Sequence, residues 1–332
     1  MLKIGVLGAG NLGKQHISLL QDSDKYSVEG FYDSDRKVAA ETEIKFGIKS
    51  FSSLHELIHL CDVIDITTPS SSHFEIAQKA LKNSRHIFIG KSPEYSRYEA
   101  KSLTRLAGEA NVTIQVSRSE RFNPAFLASK EFICEPLFIE ANRLVMFNPA
   151  STEKSVVHDL MIHDIDIVLS LVKANIRHIS ATGFAVANST PDIANARIEF
   201  DNGTVANLTA NRISFTNNIK SRFFTSGSFI TVNYFDETAN IVRMKNSSNN
   251  YSTRLIVDNG ITGQSDNFTF ENVNIANANA LKMELDSFAD SIINDERPAV
   301  SLYDGFKAMD AANKIAELLR LNANFAAATI SA

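Results

Sequence analysis

The stretch "KIGVLGAGNLG", residues 3–13, constrains this chain more than any other. A short apolar run passes directly into Gly8, Gly10 and Gly13, spaced as G-x-G-x-x-G, and the helix-like "NLGKQHISLLQ" follows. Glycine at the first position permits a tight strand-to-helix turn. At the second it lets the backbone approach a pyrophosphate, and at the third it lets helix and strand pack closely. The pyrophosphate would rest on the N–H groups that open the helix, at Asn11, Leu12 and Gly13. An acid at the right remove completes the pattern: Asp33 lies 20 residues after Gly13, at the end of the next apolar run. Its carboxylate can accept hydrogen bonds from the hydroxyls of an adenine ribose and would repel a 2′-phosphate. That favours NAD over NADP, although Ser34 and Arg36 keep the phosphorylated form open.

The same alternation continues through the first 120 residues. Apolar runs at 3–8, 26–33, 62–67, 86–90 and 112–117 are separated by amphipathic stretches at 35–47, 72–83 and 97–111. Strands apolar on both faces with helices between them predict a parallel, doubly wound sheet covered by helices. The third run ends in "DITTPSSSH" on the sheet edge where ligands bind in such folds, so Thr67, Thr68 and Pro69 are candidate walls of the dinucleotide site. His73, which opens the helix that follows, is a further candidate cofactor contact, and the Thr and Ser residues here could equally be helix caps. The fourth run ends in "GKSPEYS", which places Lys91 on that same edge.

The second half has another grammar. A helix is predicted over 123–135, and β-rich segments with hairpin signals follow at 195–214, around Asp201-Asn202-Gly203, and at 222–235, around Ser226-Gly227. These predict a mostly antiparallel sheet. The polar segment 245–253 reads as a loop, and helices at about 278–294 and 304–321 close the chain. Within "SVVHDLMIHDIDIVLSLV", residues 155–172, most of the helix circumference is apolar, yet it carries His158, Asp159, His163, Asp164 and Asp166. Buried ionisable groups are costly unless paired or functional. A metal site needs ligands that converge on one point, and His158 and His163 are five apart with no cysteine beside them. A structural Asp–His pair at helix spacing is a second reading. An acid–base pair of Asp159 and His163 suits the chemistry best, because histidine exchanges protons near neutral pH and a carboxylate can orient it.

Together, "GAGNLG", Asp33, "TTP" before His73, the lysine after the strand at 86–90 and "DLMIHDID" resemble the Gfo/Idh/MocA family of oxidoreductases. The resemblance implies a Rossmann domain over 1–121 and an α/β substrate-binding and oligomerisation domain over 122–332. It also implies NAD-dependent hydride transfer at a sugar hydroxyl carbon. By position, the family's Lys, Asp and His fall on Lys91, Asp159 and His163, with Asp166 at a further acidic position. Lys91 would also touch the cofactor. "ERFNPAF", residues 120–126, is similar to members that act on nucleotide sugars such as UDP-N-acetylglucosamine, which implies that Arg121 and Asn123 lie near substrate with Asp159 and His163. Asn123-Pro124 is equally good chemistry for a helix start.

The chain departs from the family at Gly90, where Glu is usual, and at Ser92, where Pro is usual. Ser117 and Arg118 stand where Gly-His is frequent. These departures motivate a non-catalytic dinucleotide-binding or regulatory protein as a rival, and relatives that cleave glycosides by transient oxidation supply another.

A net charge of −5 gives no reason to expect nucleic acid or an anionic membrane surface as a partner. No apolar run approaches the roughly 18 residues that span a bilayer, and the chain starts on a strand-like run without a charged leader, so a cytoplasmic location is the default expectation. Cys61 and Cys134 are the only cysteines, which excludes a disulfide framework. An antiparallel sheet with one uncovered face implies a homodimer or homotetramer through that sheet.

Overall fold

The computed structural model describes residues 1–90, 96–148, 155–188, 190–244 and 268–330, of which 244, 268–269 and 323–330 are described by backbone alone. Lys91, with Ser92 and Pro93, and the segment 245–253 lie outside the described residues. Two units result. One comprises Met1–Phe122 and Ala278–Lys307, the other Asn123–Asn277 and Ala308–Ala332.

The first unit is a parallel sheet in the order β2-β1-β3-β4-β5. β1 (Leu2–Leu7), β2 (Tyr26–Tyr32), β3 (Val63–Ile66), β4 (His86–Ile89) and β5 (Ile114–Val116) fall on the five apolar runs. All four residues of β3 are buried, as a strand covered on both faces requires. α1 (Asn11–Gln21), α2 (Arg36–Phe46), α4 (His73–Lys82) and α5 (Arg97–Ala110) connect the strands. Local chemistry fixes their starts. The Asp35 side chain caps α2, and Ser96 and Glu99 form a reciprocal capping box on α5. A short helix, α3 (Leu54–Leu60), was not signalled by the sequence, because seven residues are too few for a clear period.

The second unit carries an eight-stranded sheet, β13-β12-β11-β10-β6-β9-β8-β7. Here β6 is Phe138–Met146, β7 Ile176–Phe184, β8 Ile193–Phe200 and β9 Val205–Ser214; β10 is Asn218–Phe224, β11 Ser228–Asn233, β12 Thr238–Met244 and β13 Phe268–Asn272. Both expected hairpins are present, as β8–β9 and β10–β11. All pairings are antiparallel except β6 with β9. The predicted helix at 123–135 is shorter, α6 (Pro124–Ser129) followed by a 3-10 turn at Lys130–Phe132.

The two closing helices are α8 (Ala280–Ile293) and α9 (Leu302–Ile330). Here the expected boundary needs correction, because α8 belongs to the first unit and not to the second half of the chain. Leu285, Phe288 and Ala289 are buried in one cluster with Ile4, Ile17, Tyr26 and Phe88. The Tyr26 hydroxyl donates to the Leu285 carbonyl at 2.7 Å. An apolar helix face is buried wherever a matching face is open, irrespective of its place in the chain.

Candidate functional site

The glycine loop of the first unit has the geometry its spacing requires. Gly8 takes φ +100°, a conformation that side chains disfavour. A Cβ on Gly13 would lie 1.9 Å from the Gly8 carbonyl oxygen, so helix and turn touch there. Around Gly10 the reverse holds: a Cβ would meet nothing within 4 Å. Gly10 is also the N-cap of α1, and no side chain caps the helix, so its first N–H groups, from Asn11 onward, are not taken by a side-chain cap. This cradle fits a pyrophosphate.

Asp33 is bound into the same loop. One carboxylate oxygen accepts from the Ala9 N–H at 2.6 Å and the other from the Asp35 N–H at 2.8 Å. A carboxylate has about four acceptor sites, so two remain for the hydroxyls of a ribose. Arg36 stands exposed at the first position of α2.

The wall opposite is Thr67-Thr68-Pro69. The Thr67 hydroxyl donates to the carbonyls of Leu7 and Gly8, at 3.0 and 2.8 Å, which ties β3 to the glycine turn. Thr68 accepts from the Ser72 hydroxyl at 2.9 Å. His73 differs from expectation. It is fully buried, and its Nε2 lies 2.7 Å from the Thr68 carbonyl, an acceptor that requires Nε2 to carry a proton. It therefore shapes the wall through Thr68 and presents no surface to a ligand.

A cluster that the sequence reading missed lies beneath this edge. His16 of α1 and Asp65 of β3 are both fully buried, with Nδ1 2.8 Å from Oδ2. Burial alone would lower the His16 pKa, but the adjoining Asp65 carboxylate outweighs it and holds it raised. Glu284 of α8, also fully buried, accepts from the Ser117 hydroxyl at 2.8 Å and from the Arg118 N–H. Burial pushes its carboxyl up to about 7, against the pull of those donors and of nearby His16. One signal was legible beforehand: an aspartate inside the otherwise apolar strand "VIDI".

In the second unit the charged helix begins with a π-helical turn, Val157–Met161, and continues as α7 (Ile162–Leu171). Single π turns concentrate at functional sites because they re-aim side chains relative to a regular helix. The five ionisable groups then separate. Asp164 and Asp166 are buried, and Asp164 receives a bidentate pair from Arg143 of β6, at 3.1 and 3.0 Å. His158 binds the Asn313 amide oxygen at 2.8 Å. Asp159 and His163 both keep part of their surface. Among the described residues no three of His, Cys, Asp and Glu converge as a metal site would need.

Asn123 is 6 % exposed and its side chain is spent inside the second unit. It caps α6 through the N–H groups of Ala125 and Phe126 and donates to the Tyr234 carbonyl at 3.0 Å. The helix-start reading accounts for it. Arg121, in the first unit, donates to the Ala299 carbonyl at 3.3 Å.

Residues 2–118 match the model of the oxidoreductase family with an NAD-binding Rossmann fold, and residues 140–230 match the C-terminal domain of the same family. The UDP-N-acetylglucosamine 3-dehydrogenase of Acidithiobacillus ferrooxidans is 31% identical over 297 residues, 88% of each chain. The chain belongs to the Gfo/Idh/MocA family. Its first unit is thus an NAD-binding Rossmann domain, and the protein is an oxidoreductase. Another Gfo/Idh/MocA relative, the NAD⁺-dependent scyllo-inositol 2-dehydrogenase of Bacillus subtilis, is 30% identical over 64% of this chain and 68% of its own. Among solved structures, the A. ferrooxidans enzyme superposes with a TM-score of 0.85 at 26% identity, over 96% of this chain and 97% of that one. Levoglucosan dehydrogenase in complex with NADH shares the Gfo/Idh/MocA fold at a TM-score of 0.80 and 20% identity, over 96% of each chain.

Proposed function

We propose that the protein is an NAD-dependent dehydrogenase of a sugar or nucleotide sugar, with a substrate resembling UDP-N-acetylglucosamine. The likeness to the A. ferrooxidans 3-dehydrogenase over 88% of both chains carries this reading. Asp33, engaged by Ala9 and Asp35 yet with acceptor sites left for ribose hydroxyls, supports NAD ahead of NADP. When bound, NAD⁺ supplies the acceptor for a hydride. The chain's own part is to hold the dinucleotide on the α1 N-terminus and Asp33, and to remove the proton of the hydroxyl being oxidised.

In this reading His163 takes that proton at a ring nitrogen, and Asp159 orients the ring and balances the charge it gains. The Lys91 ammonium stabilises the developing alkoxide. Lys91→Ala and His163→Ala are each expected to lower kcat for NADH formation by about 10²-fold or more, with NAD binding nearly intact. Near-parental turnover in both would refute the roles. Net NADH accumulation on a panel of UDP-sugars, inositols and simple sugars separates this reading from a redox-assisted glycosidase, which returns its NADH each turnover. It also separates it from a regulatory protein, which binds NAD and reduces none.

The second unit is also proposed to carry the contact between copies. Phe138, Phe224 and Phe229 form a row across β6, β10 and β11, on the face opposite buried Ile139, Phe223 and Ile230.

A further inference from the structure

Position 90 is glycine, and the structure shows what occupies the volume that a side chain there would need. β4 ends at Ile89, and the Gly90 N–H donates to the Ile66 carbonyl at 2.9 Å. A Cβ built on Gly90 would lie 2.8 Å from Cε1 of His16 and 2.9 Å from Cγ2 of Thr67, closer than such atoms approach. Neither neighbour can give way. Thr67 is pinned to the glycine turn by its two hydroxyl bonds. The His16 ring is held by Asp65 on one side and stands edge-on to Phe88, 5.9 Å between centroids. Its other nitrogen, Nε2, is the edge turned toward residue 90, 3.4 Å from the position of that Cβ. Nε2 is buried and has no hydrogen-bond partner among the described residues.

Asp65 is the second observation. It stands in a strand buried at every residue, where an apolar side chain would serve the packing and a carboxylate is costly unless paired. Among the described residues its hydrogen-bond partner is His16, and its second oxygen has none.

We propose that the buried His16–Asp65 pair is the positioning element of the β4 exit. The imidazole takes the volume that a side chain at 90 would fill, Asp65 clamps the ring there from the neighbouring strand, and glycine at 90 is the residue this packing requires. Gly90 is then a specialised feature and no sign of a decayed site. The kinetic part rests on the reading of Lys91, bonded directly to Gly90, as the lysine that stabilises the alkoxide. His16 and Asp65 act through that backbone and touch no reacting atom.

The test is a double-mutant cycle of Gly90→Glu and Asp65→Val in the full chain, read by kcat, KM and urea midpoint. Gly90→Glu alone forces a second carboxylate against the clamped ring, and is expected to lower kcat by at least 10²-fold with KM for the sugar changed less than 3-fold. Asp65→Val alone frees the ring and is expected to lower kcat about 10-fold. With both, the ring released from Asp65 can yield to the side chain at 90, and kcat should return to within 10-fold of the parent, with urea midpoints that are likewise non-additive. Parental turnover in Gly90→Glu, or a double variant no better than the worse single, would overturn the proposal. Should Gly90→Glu fail to fold, Gly90→Ala takes its place in the cycle with the same expected direction. Parental turnover in Lys91→Ala would overturn the lysine reading by itself. Additive midpoints in the cycle would then overturn the packing claim independently of any activity.

Discussion

At the scale of single residues, the Rossmann unit holds two groups whose burial works against their charge. Glu284 has its carboxyl pushed up to about 7 while an unfolded chain would titrate it near 4.5. Between those values the folded state keeps a proton that the unfolded state has lost, so stability falls as pH rises from about 4.5 to 7. His16, a base with its pKa raised, contributes stability below its unfolded value that is lost as pH rises through the folded one, which is the same direction. Glu284→Gln is therefore expected to flatten the pH dependence and to recover on the order of 3 kcal/mol at pH 8 relative to the parent. Urea midpoints at pH 5 and pH 8 read this directly, and a parent equally stable at both values would exclude a neutral buried Glu284. Beyond the aspartate inside "VIDI", none of this was accessible from sequence: His16 and Asp65 are 49 residues apart and only packing brings them to 2.8 Å.

At the scale of elements, the π turn and α7 show how the fold spends charge. The sequence presents five ionisable groups on one apolar helix, and periodicity cannot say which are structural. The packing decides. Asp164 is held by Arg143 with both partners under 5 % exposed, so this pair fixes the helix on β6 while Asp159 and His163 stay only partly buried. Arg143→Ala would leave a buried carboxylate without its guanidinium and is expected to cost about 3–5 kcal/mol. Arg143→Met with Asp164→Leu should recover most of that loss, and kcat measured on the double variant tells whether the ion pair also sets the aim of His163. A single substitution that leaves the thermal midpoint unchanged would show that the pair does not anchor the helix.

At the scale of the whole molecule, no helix among the described residues is long and apolar enough to cross a membrane, and the proposed contact between copies is open to a direct test. Phe138 faces Phe224, and Phe224 faces Phe229, across hydrogen-bonded strands, flanked by the Glu140–Arg222 pair. An apolar row rimmed by charge is a surface suited to a second copy. Phe224→Glu is expected to convert an oligomer into monomers in light scattering without loss of fold, and a parent that is monomeric at every concentration would dismiss the contact. The sequence by itself determined the two-part architecture, the parallel and antiparallel sheets and the glycine cradle with Asp33. Each rests on local periodicity or on a short motif whose spacing is set by backbone geometry. Only the tertiary structure decided that α8 completes the first unit, that His73 and Asn123 are spent on internal hydrogen bonds, and that His16 fills the space beside Gly90. Those outcomes depend on which distant groups share a volume, and volume is contested only once the chain has packed.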